Sequence, residues 1–109
     1  MMFSDLPNMA FTVGYTNSSW TLKADLTASY VCRLLNKMAK CGHSTVTPRM
    51  IGSVEEEPLL DFSAGYVLRS RDQFPKQGDR LPWKNYQNYI KDFITLRLGG
   101  LKDKELEFR

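Results

Sequence analysis

The sequence has few glycines, and their spacing excludes two phosphate-binding motifs. Only seven occur in 109 residues. No two of them lie two positions apart, so the dinucleotide-binding pattern G-x-G-x-x-G is absent, and no two lie five apart, so the P-loop pattern is absent as well. Both motifs need glycine because their backbone amides must approach a phosphate with no Cβ in the way. The sequence therefore carries neither fingerprint.

Histidine and cysteine are scarce too, which limits metal binding and catalysis. With one histidine, His43, and two cysteines, Cys32 and Cys41, the sequence does not supply four Cys/His ligands for structural zinc. His43 lies in a polar run typical of a surface loop, and no nucleophile–base pair is evident. The consecutive carboxylates at residues 55–57 fit a solvated run better than an acid/base pair. We expect no metal site and no catalytic residue in this chain.

The cysteine spacing predicts the cellular compartment, and the charge and hydropathy exclude two classes of partner. If both cysteines lie on one helix, their spacing of nine residues separates them by about 13 Å, too far for a disulfide. Free thiols are typical of a reducing cytosol, so we expect a cytoplasmic protein. The net charge of +3 is interspersed along the chain, unlike the concentrated charge of nucleic-acid binders. With no apolar run near ~18 residues and no signal peptide pattern, we expect no nucleic-acid partner and no membrane span.

The first 43 residues predict a strand, a loop and a long helix. Residues 9–15 are β-branched and aromatic and predict a strand that Gly14 ends. Residues 16–19 are all helix-capping types. A helix should follow from Trp20 to Lys40, with Gly42 as its stop. Apolar residues recur in it near helical spacing and predict a buried stripe, namely Leu22, Leu26, Val31, Leu34, Leu35 and Met38.

The remainder predicts irregular chain and one further helix. Two short extended pieces, residues 44–47 and 66–69, favour at most a hairpin, and a stretch so poor in regular structure is typical of a tail that wraps over another body of protein. The second helix opens at residues 81–83, because proline suits a helix's first turn, and ends at Gly99–Gly100. Its predicted stripe is Tyr86, Tyr89, Ile90, Phe93 and Arg97.

The strand–loop–helix at residues 14–20 is the best candidate for a ligand site. A strand that ends in glycine and enters a helix through small polar residues presents several unpaired amides together. The helix N-terminus adds a positive potential of about half a charge. Such a site suits an anionic or carbonyl oxygen of a ligand. A plain strand–helix unit with a capped helix is the alternative.

The segment from Pro7 to Leu26, with the sequence PNMAFTVGYTNSSWTLKADL, resembles a segment late in the class B flavin-dependent monooxygenases. These are the flavin-containing and Baeyer–Villiger enzymes, and the resemblance is strongest to the ethionamide-activating subgroup. It covers roughly residues 7–108. Shorter runs resemble the same subgroup, namely Gly65–Ser70, Pro75–Gly78, Pro82–Trp83, Gln87–Tyr89 and Asp92.

The resemblance implies an enzyme that uses FAD and NADPH to insert one oxygen atom from O2 into ketones or sulfur compounds. It implies an α/β fragment in which residues 1–43 supply the strand, loop and long helix that close an FAD domain. Residues 44–109 are then a C-terminal wrapping tail with one helix. Trp20 either walls the substrate pocket together with Tyr15 or packs beneath the helix start. The implied cofactor-binding residues are Gly14, Tyr15, Thr16, Asn17, Ser18 and Ser19.

The departures from the family indicate an incomplete enzyme. The glycine fingerprints are missing, and the family pattern F-x-G-x-x-x-H-x-x-x-W cannot be placed, since no tryptophan lies four residues after His43. We expect a C-terminal part of such an enzyme, from a truncated gene, a split subunit or a fragment, that is inactive and binds no cofactor tightly alone. Its partner is then the missing N-terminal domains or a homodimer mate. The alternative is a small non-catalytic interaction module that docks through the apolar face of helix 20–40.

Overall fold

One long helix dominates the computed structural model, which describes residues 1–16, 18–59, 69, 71–101 and 104–109. Helix α1 (Trp20–Cys41) ends at Gly42, whose φ of 71° lies in the left-handed region that favours glycine. The amides of Gly42 and His43 donate to the carbonyls of Ala39 and Met38 and close the last turn. The predicted helix and its glycine stop are confirmed.

The buried face of α1 differs in part from the predicted stripe. Leu26, Leu34 and Met38 are buried as predicted, but Leu22 and Leu35 are exposed. The prediction counted only apolar residues, and so it missed polar and aromatic side chains that face the interior and have partners there. These further buried residues of α1 are Lys23, Thr27 and Tyr30.

Two small antiparallel sheets complete the α/β architecture. Strand β1 (Val46–Pro48) pairs with β4 (Leu106–Phe108), so that the chain's last residues return to the end of α1. Strand β2 (Glu56–Pro58) pairs with β3 (Lys76–Gly78). The extended piece predicted over residues 44–47 is confirmed in part by β1. Its partner is β4 rather than the piece at residues 66–69, most of which lies outside the described residues.

The strand predicted over residues 9–15 is wrong. The segment has no regular secondary structure, because a strand needs a ladder of backbone hydrogen bonds to a neighbour. Its backbone makes isolated contacts instead, such as that from Phe11 N to Met1 O at 2.8 Å. A composition rich in β-branched and aromatic residues shows that a segment suits a sheet, but a strand forms only where a neighbouring strand pairs with it.

The second helix begins later than predicted. Residues 81–83 form a turn, and the amides of Trp83 and Lys84 donate to the Arg80 carbonyl. Helix α2 (Tyr89–Asp92) starts only after Asn88, because the Asn88 side chain accepts from the Lys91 amide at 3.1 Å and so caps it.

A π-helix (Phe93–Leu98) continues α2 without a break and ends before Gly99, as predicted. The predicted stripe is wrong in part. Phe93 is partly buried and packs against the core as predicted, but Ile90 is 70% exposed, and the fully buried residues are Asp92 and Leu96. The wider turn of a π-helix changes which side chains face inward.

The end of the π-helix requires glycine, since a Cβ at Gly99 would lie 2.2 Å from the Thr95 carbonyl oxygen.

The core lies between α1, the π-helix and the β1–β4 sheet, and it joins both halves of the chain. Arg33 of α1 donates to the carbonyls of Leu96 and Arg97 at 3.0 and 2.9 Å, which ties the end of the π-helix to α1. The core residues are Met1, Met2, Leu26, Tyr30, Leu34, Met38, Val46, Leu96 and Leu106.

Among the described residues, no helix is long and apolar enough to cross a membrane. Within the same ranges, no cluster of three or more His, Cys, Asp or Glu side chains is arranged to hold a metal ion. Cys32 and Cys41 are both free and exposed.

Candidate cofactor-binding loop

The predicted cofactor-binding residues lie where the chain enters α1. The loop, residues 14–19, starts in the interior and comes to the surface just before the helix. Asn17 lies outside the described residues. Of the others, Gly14 and Tyr15 are buried, and Thr16, Ser18 and Ser19 are exposed.

The N-cap residue Ser19 does not cap the helix in the predicted way. Ser19 occupies the N-cap position, but its side chain makes no capping hydrogen bond. Its hydroxyl lies 2.7 Å from the hydroxyl of Thr21, so the two side chains pair with each other. Because Ser19 does not accept from the first-turn amides, the positive end of this 22-residue helix is not neutralised by that side chain.

Trp20 packs on the loop and also faces outward. A Cβ added to Gly14 would lie 2.2 Å from the Cγ and Cδ2 atoms of the Trp20 ring. Glycine is therefore needed at position 14 for this close approach. Trp20 remains 62% exposed, so much of its ring surface is available to a ligand or a neighbouring domain.

A buried charged cluster lies beneath the loop. The Tyr15 hydroxyl donates to Asp92 Oδ2 at 2.6 Å, and Lys23 Nζ donates to the same oxygen at 2.7 Å. Burial, and then the hydrogen bond to Asp92, raise the pKa of Tyr15 well above its ordinary value. Tyr15 is thus a neutral donor near pH 7. Its hydroxyl points to Asp92, and its role in a substrate pocket stays a prediction.

The chain just before α2 makes further contacts with the loop. The Gln87 side chain accepts from Thr16 N at 2.9 Å and donates to the Gly14 carbonyl at 3.4 Å. The carbonyl of Tyr86 accepts from Lys23 Nζ at 3.4 Å. Residues distant in sequence therefore fix the candidate loop from one side.

Over its whole length, the chain is similar to proteins named as FAD monooxygenases. FAD-containing monooxygenase EthA of Mycobacterium tuberculosis strain H37Rv is 56% identical over 109 residues, which are 99% of this chain and 22% of that protein. EthA of Mycolicibacterium smegmatis is 45% identical and the probable FAD-binding monooxygenase AlmA of an Acinetobacter species is 44% identical, with the same coverage. The chain is a homologue of the C-terminal segment of FAD-containing monooxygenases.

The resemblance seen in the sequence is confirmed by these relatives. The chain spans about a fifth of the length of the curated FAD-containing monooxygenases it matches, 22% in each case. No family model matches the chain, and no solved structure gives a significant match.

Three residues around the loop were missed from sequence: Lys23, Gln87 and Asp92. A signal for two of them was present, since Lys23 and Asp92 are charged yet lie among residues predicted to face a core, and charged side chains are rarely buried unless paired. Their pairing could not be deduced, because they are 69 positions apart in the chain.

Proposed function

We propose that this chain acts as the C-terminal segment of a cytoplasmic, FAD- and NADPH-dependent monooxygenase of the Baeyer–Villiger type. The complete enzyme inserts one oxygen atom from O2 into ketones or sulfur compounds. The observation that carries this proposal is the 56% identity over 109 residues to a protein named FAD-containing monooxygenase. Because the chain spans 22% of that relative and has no G-x-G-x-x-G fingerprint, the isolated chain is inactive and holds neither FAD nor NADPH tightly.

In this proposal, residues 14–19 lie beside the flavin. Bound FAD supplies the redox chemistry that activates oxygen. The loop fits a flat, polar-edged ring, since the first turn of α1 is not capped by the Ser19 side chain and the Trp20 ring is largely exposed next to it. The first-turn amides would donate to oxygens at the edge of the ring and favour negative charge there. Asn17, Ser18 and Ser19 would add side-chain hydrogen bonds.

Trp20 and Tyr15 are proposed to border the substrate pocket. Trp20 contributes the exposed face of its ring, since 62% of the residue is accessible. Tyr15 is 2% exposed, so its side chain supports the loop from the interior. Only the backbone of Tyr15 would lie next to the substrate. The pocket's remaining walls belong to the domains that precede this segment in the relatives.

An exposed apolar row supports the proposed partner. Ile90, Ile94 and Leu98 follow each other at intervals of four along α2 and the π-helix, and they are 70%, 55% and 69% exposed. A row of exposed large apolar residues on successive turns is typical of an interface. We propose that the N-terminal FAD and NADPH domains cover it, with a homodimer mate as the other occupant to be tested.

The alternative, an interaction module that docks through the apolar face of α1, has less support. Leu26, Leu34 and Met38 of the predicted docking stripe are used in the chain's own core. Leu35 is the most exposed member of that stripe, at 56%.

Flavin absorbance of the purified 109-residue chain mixed with FAD tests the proposal. We expect no stoichiometric binding after gel filtration, because most contacts to the cofactor lie elsewhere, and stoichiometric FAD would refute the claim of an inactive segment. Light scattering on the same column tests the proposal and the alternative together. We expect self-association through the apolar row, and a monomer with a cooperative melt would count against both an incomplete chain and a docking module.

A further inference from the structure

We propose that the segment Tyr86–Asp92, called here the clamp segment, positions the loop at residues 14–19, with Gln87 and Asp92 as positioning residues. This inference rests on the proposed function of the loop as the part that faces the flavin. It gives a role to Gln87 and Asp92, which belong to runs that resemble the monooxygenase subgroup without an assigned chemistry.

Gln87 holds the loop's backbone in the way a neighbouring strand would. Its Oε1 accepts from the amide of Thr16 at 2.9 Å, and its Nε2 donates to the carbonyl of Gly14 at 3.4 Å. In parallel strand pairing, one residue likewise binds the carbonyl and the amide that flank a residue of its neighbour. The Gln87 carboxamide thus supplies two contacts that hold the backbone on either side of Tyr15.

Asp92 fixes the side chain that lies between those two backbone contacts. Its Oδ2 accepts from the Tyr15 hydroxyl at 2.6 Å and from Lys23 Nζ at 2.7 Å. Lys23 belongs to the first turn of α1, and its Nζ also donates to the Tyr86 carbonyl. Loop and helix start are therefore attached to the same short segment by side chains that are almost fully buried.

The consequence is a loop held at three consecutive positions. The Gly14 carbonyl, the Tyr15 side chain and the Thr16 amide each bind the clamp segment. Donors that stabilise charge on a ligand act best when their direction is fixed before the ligand arrives. The clamp segment provides that fixed direction from a part of the chain that need not touch the cofactor itself.

Amide hydrogen exchange of the 109-residue chain, followed by NMR, tests the clamp segment without FAD. Gln87→Ala should accelerate exchange at Thr16 about tenfold, since one hydrogen bond of ordinary strength protects to that extent, while amides in the middle of α1 stay unchanged. Gln87→Glu keeps an acceptor for Thr16 N and should restore its protection. Gln77→Ala is the matched control, because Gln77 also bridges two backbone groups, those of Pro58 and Asn85, away from the loop. Unchanged exchange at Thr16 in Gln87→Ala would overturn the inference.

The part played by Asp92 needs a variant that folds. Lys23→Met/Asp92→Leu removes both buried charges together, which is tolerated far better than removing one. We expect Thr16 exchange to rise in this variant as well, because Tyr15 has lost its acceptor. Exchange as slow as in the native chain would show that Asp92 does not position the loop.

A hybrid enzyme separates this inference from the proposed function. In the hybrid, these 109 residues replace the matching C-terminal segment of the M. tuberculosis relative, and the flavin absorption band is recorded with and without Gln87→Ala. We expect the band to shift. Faster Thr16 exchange with an unshifted band would leave the clamp segment standing and refute the flavin-facing role of the loop.

Discussion

Removing one charge from the buried Lys23–Asp92 pair should destabilise the chain strongly. The charged atoms are 2.7 Å apart, and the two side chains are 5% and 2% exposed. Unit charges at that distance attract by about 6 kcal/mol if the effective dielectric constant is about 20, and much of this offsets the cost of taking both charges out of water. Lys23→Met leaves a buried carboxylate that keeps the Tyr15 hydroxyl as a donor but has lost its counter-charge. We expect the free energy of unfolding to fall by about 3–5 kcal/mol.

Urea unfolding followed by circular dichroism and tryptophan fluorescence measures this loss. Lys76→Met is the control, because Lys76 lies 3.6 Å from Glu56 with both side chains more than half exposed, and its loss should change stability by less than about 0.5 kcal/mol. Lys23→Met/Asp92→Leu should recover most of the stability that either single variant loses. A cost below about 1 kcal/mol for Lys23→Met, or a double variant no more stable than the singles, would refute the argument.

Three further predictions follow from single contacts. Burial and the hydrogen bond to Asp92 raise the pKa of Tyr15, so the stabilising contribution of Tyr15 is complete below about pH 10 and is lost as the pH rises further. In urea melts above that pH, the native chain should lose more stability than Tyr15→Phe. Equal losses in the two proteins would contradict this. Gly14→Ala should lower stability by about 1–3 kcal/mol in the native chain, because the new Cβ meets the Trp20 ring. In a Trp20→Ala background, the same substitution should cost much less. Equal thermal shifts in the two backgrounds would exclude the clash. Arg33→Ala should lower the free energy of unfolding by about 1.5–3 kcal/mol, because the guanidinium binds carbonyls at the end of the π-helix. Arg33→Lys should not restore the lost stability in urea melts. Full recovery with lysine would argue against a forked contact.

Features set by neighbouring residues could be predicted from the sequence. Helix α1 was predicted within one residue of its end because its spacing and Gly42 act locally. The position of the loop before α1 followed from the run of small polar residues. The resemblance to FAD-dependent monooxygenases was evident from the segment Pro7–Leu26, and the relatives confirm it.

Features that depend on distant contacts could not be predicted. Residues 9–15 have the composition of a strand, but no described neighbour gives them a ladder. The second helix starts at Tyr89 rather than at residues 81–83, because the Asn88 side chain caps its beginning. Its inward face includes the charged Asp92 because Lys23 meets it there. A charge at a core-facing position signals an unseen partner, but the sequence does not say which residue that partner is.

The most direct test of the central claim, that residues 14–19 serve the flavin of an FAD-containing monooxygenase, is the activity of the hybrid enzyme. With the native 109 residues, the hybrid should hold FAD and oxidise NADPH in response to a ketone or sulfide. Alanine at residues 16–19 should weaken FAD retention or turnover, while the exposed control Lys76→Ala should not. A hybrid that lacks FAD while its parent holds it, or one that keeps full activity with the loop replaced, would contradict the account.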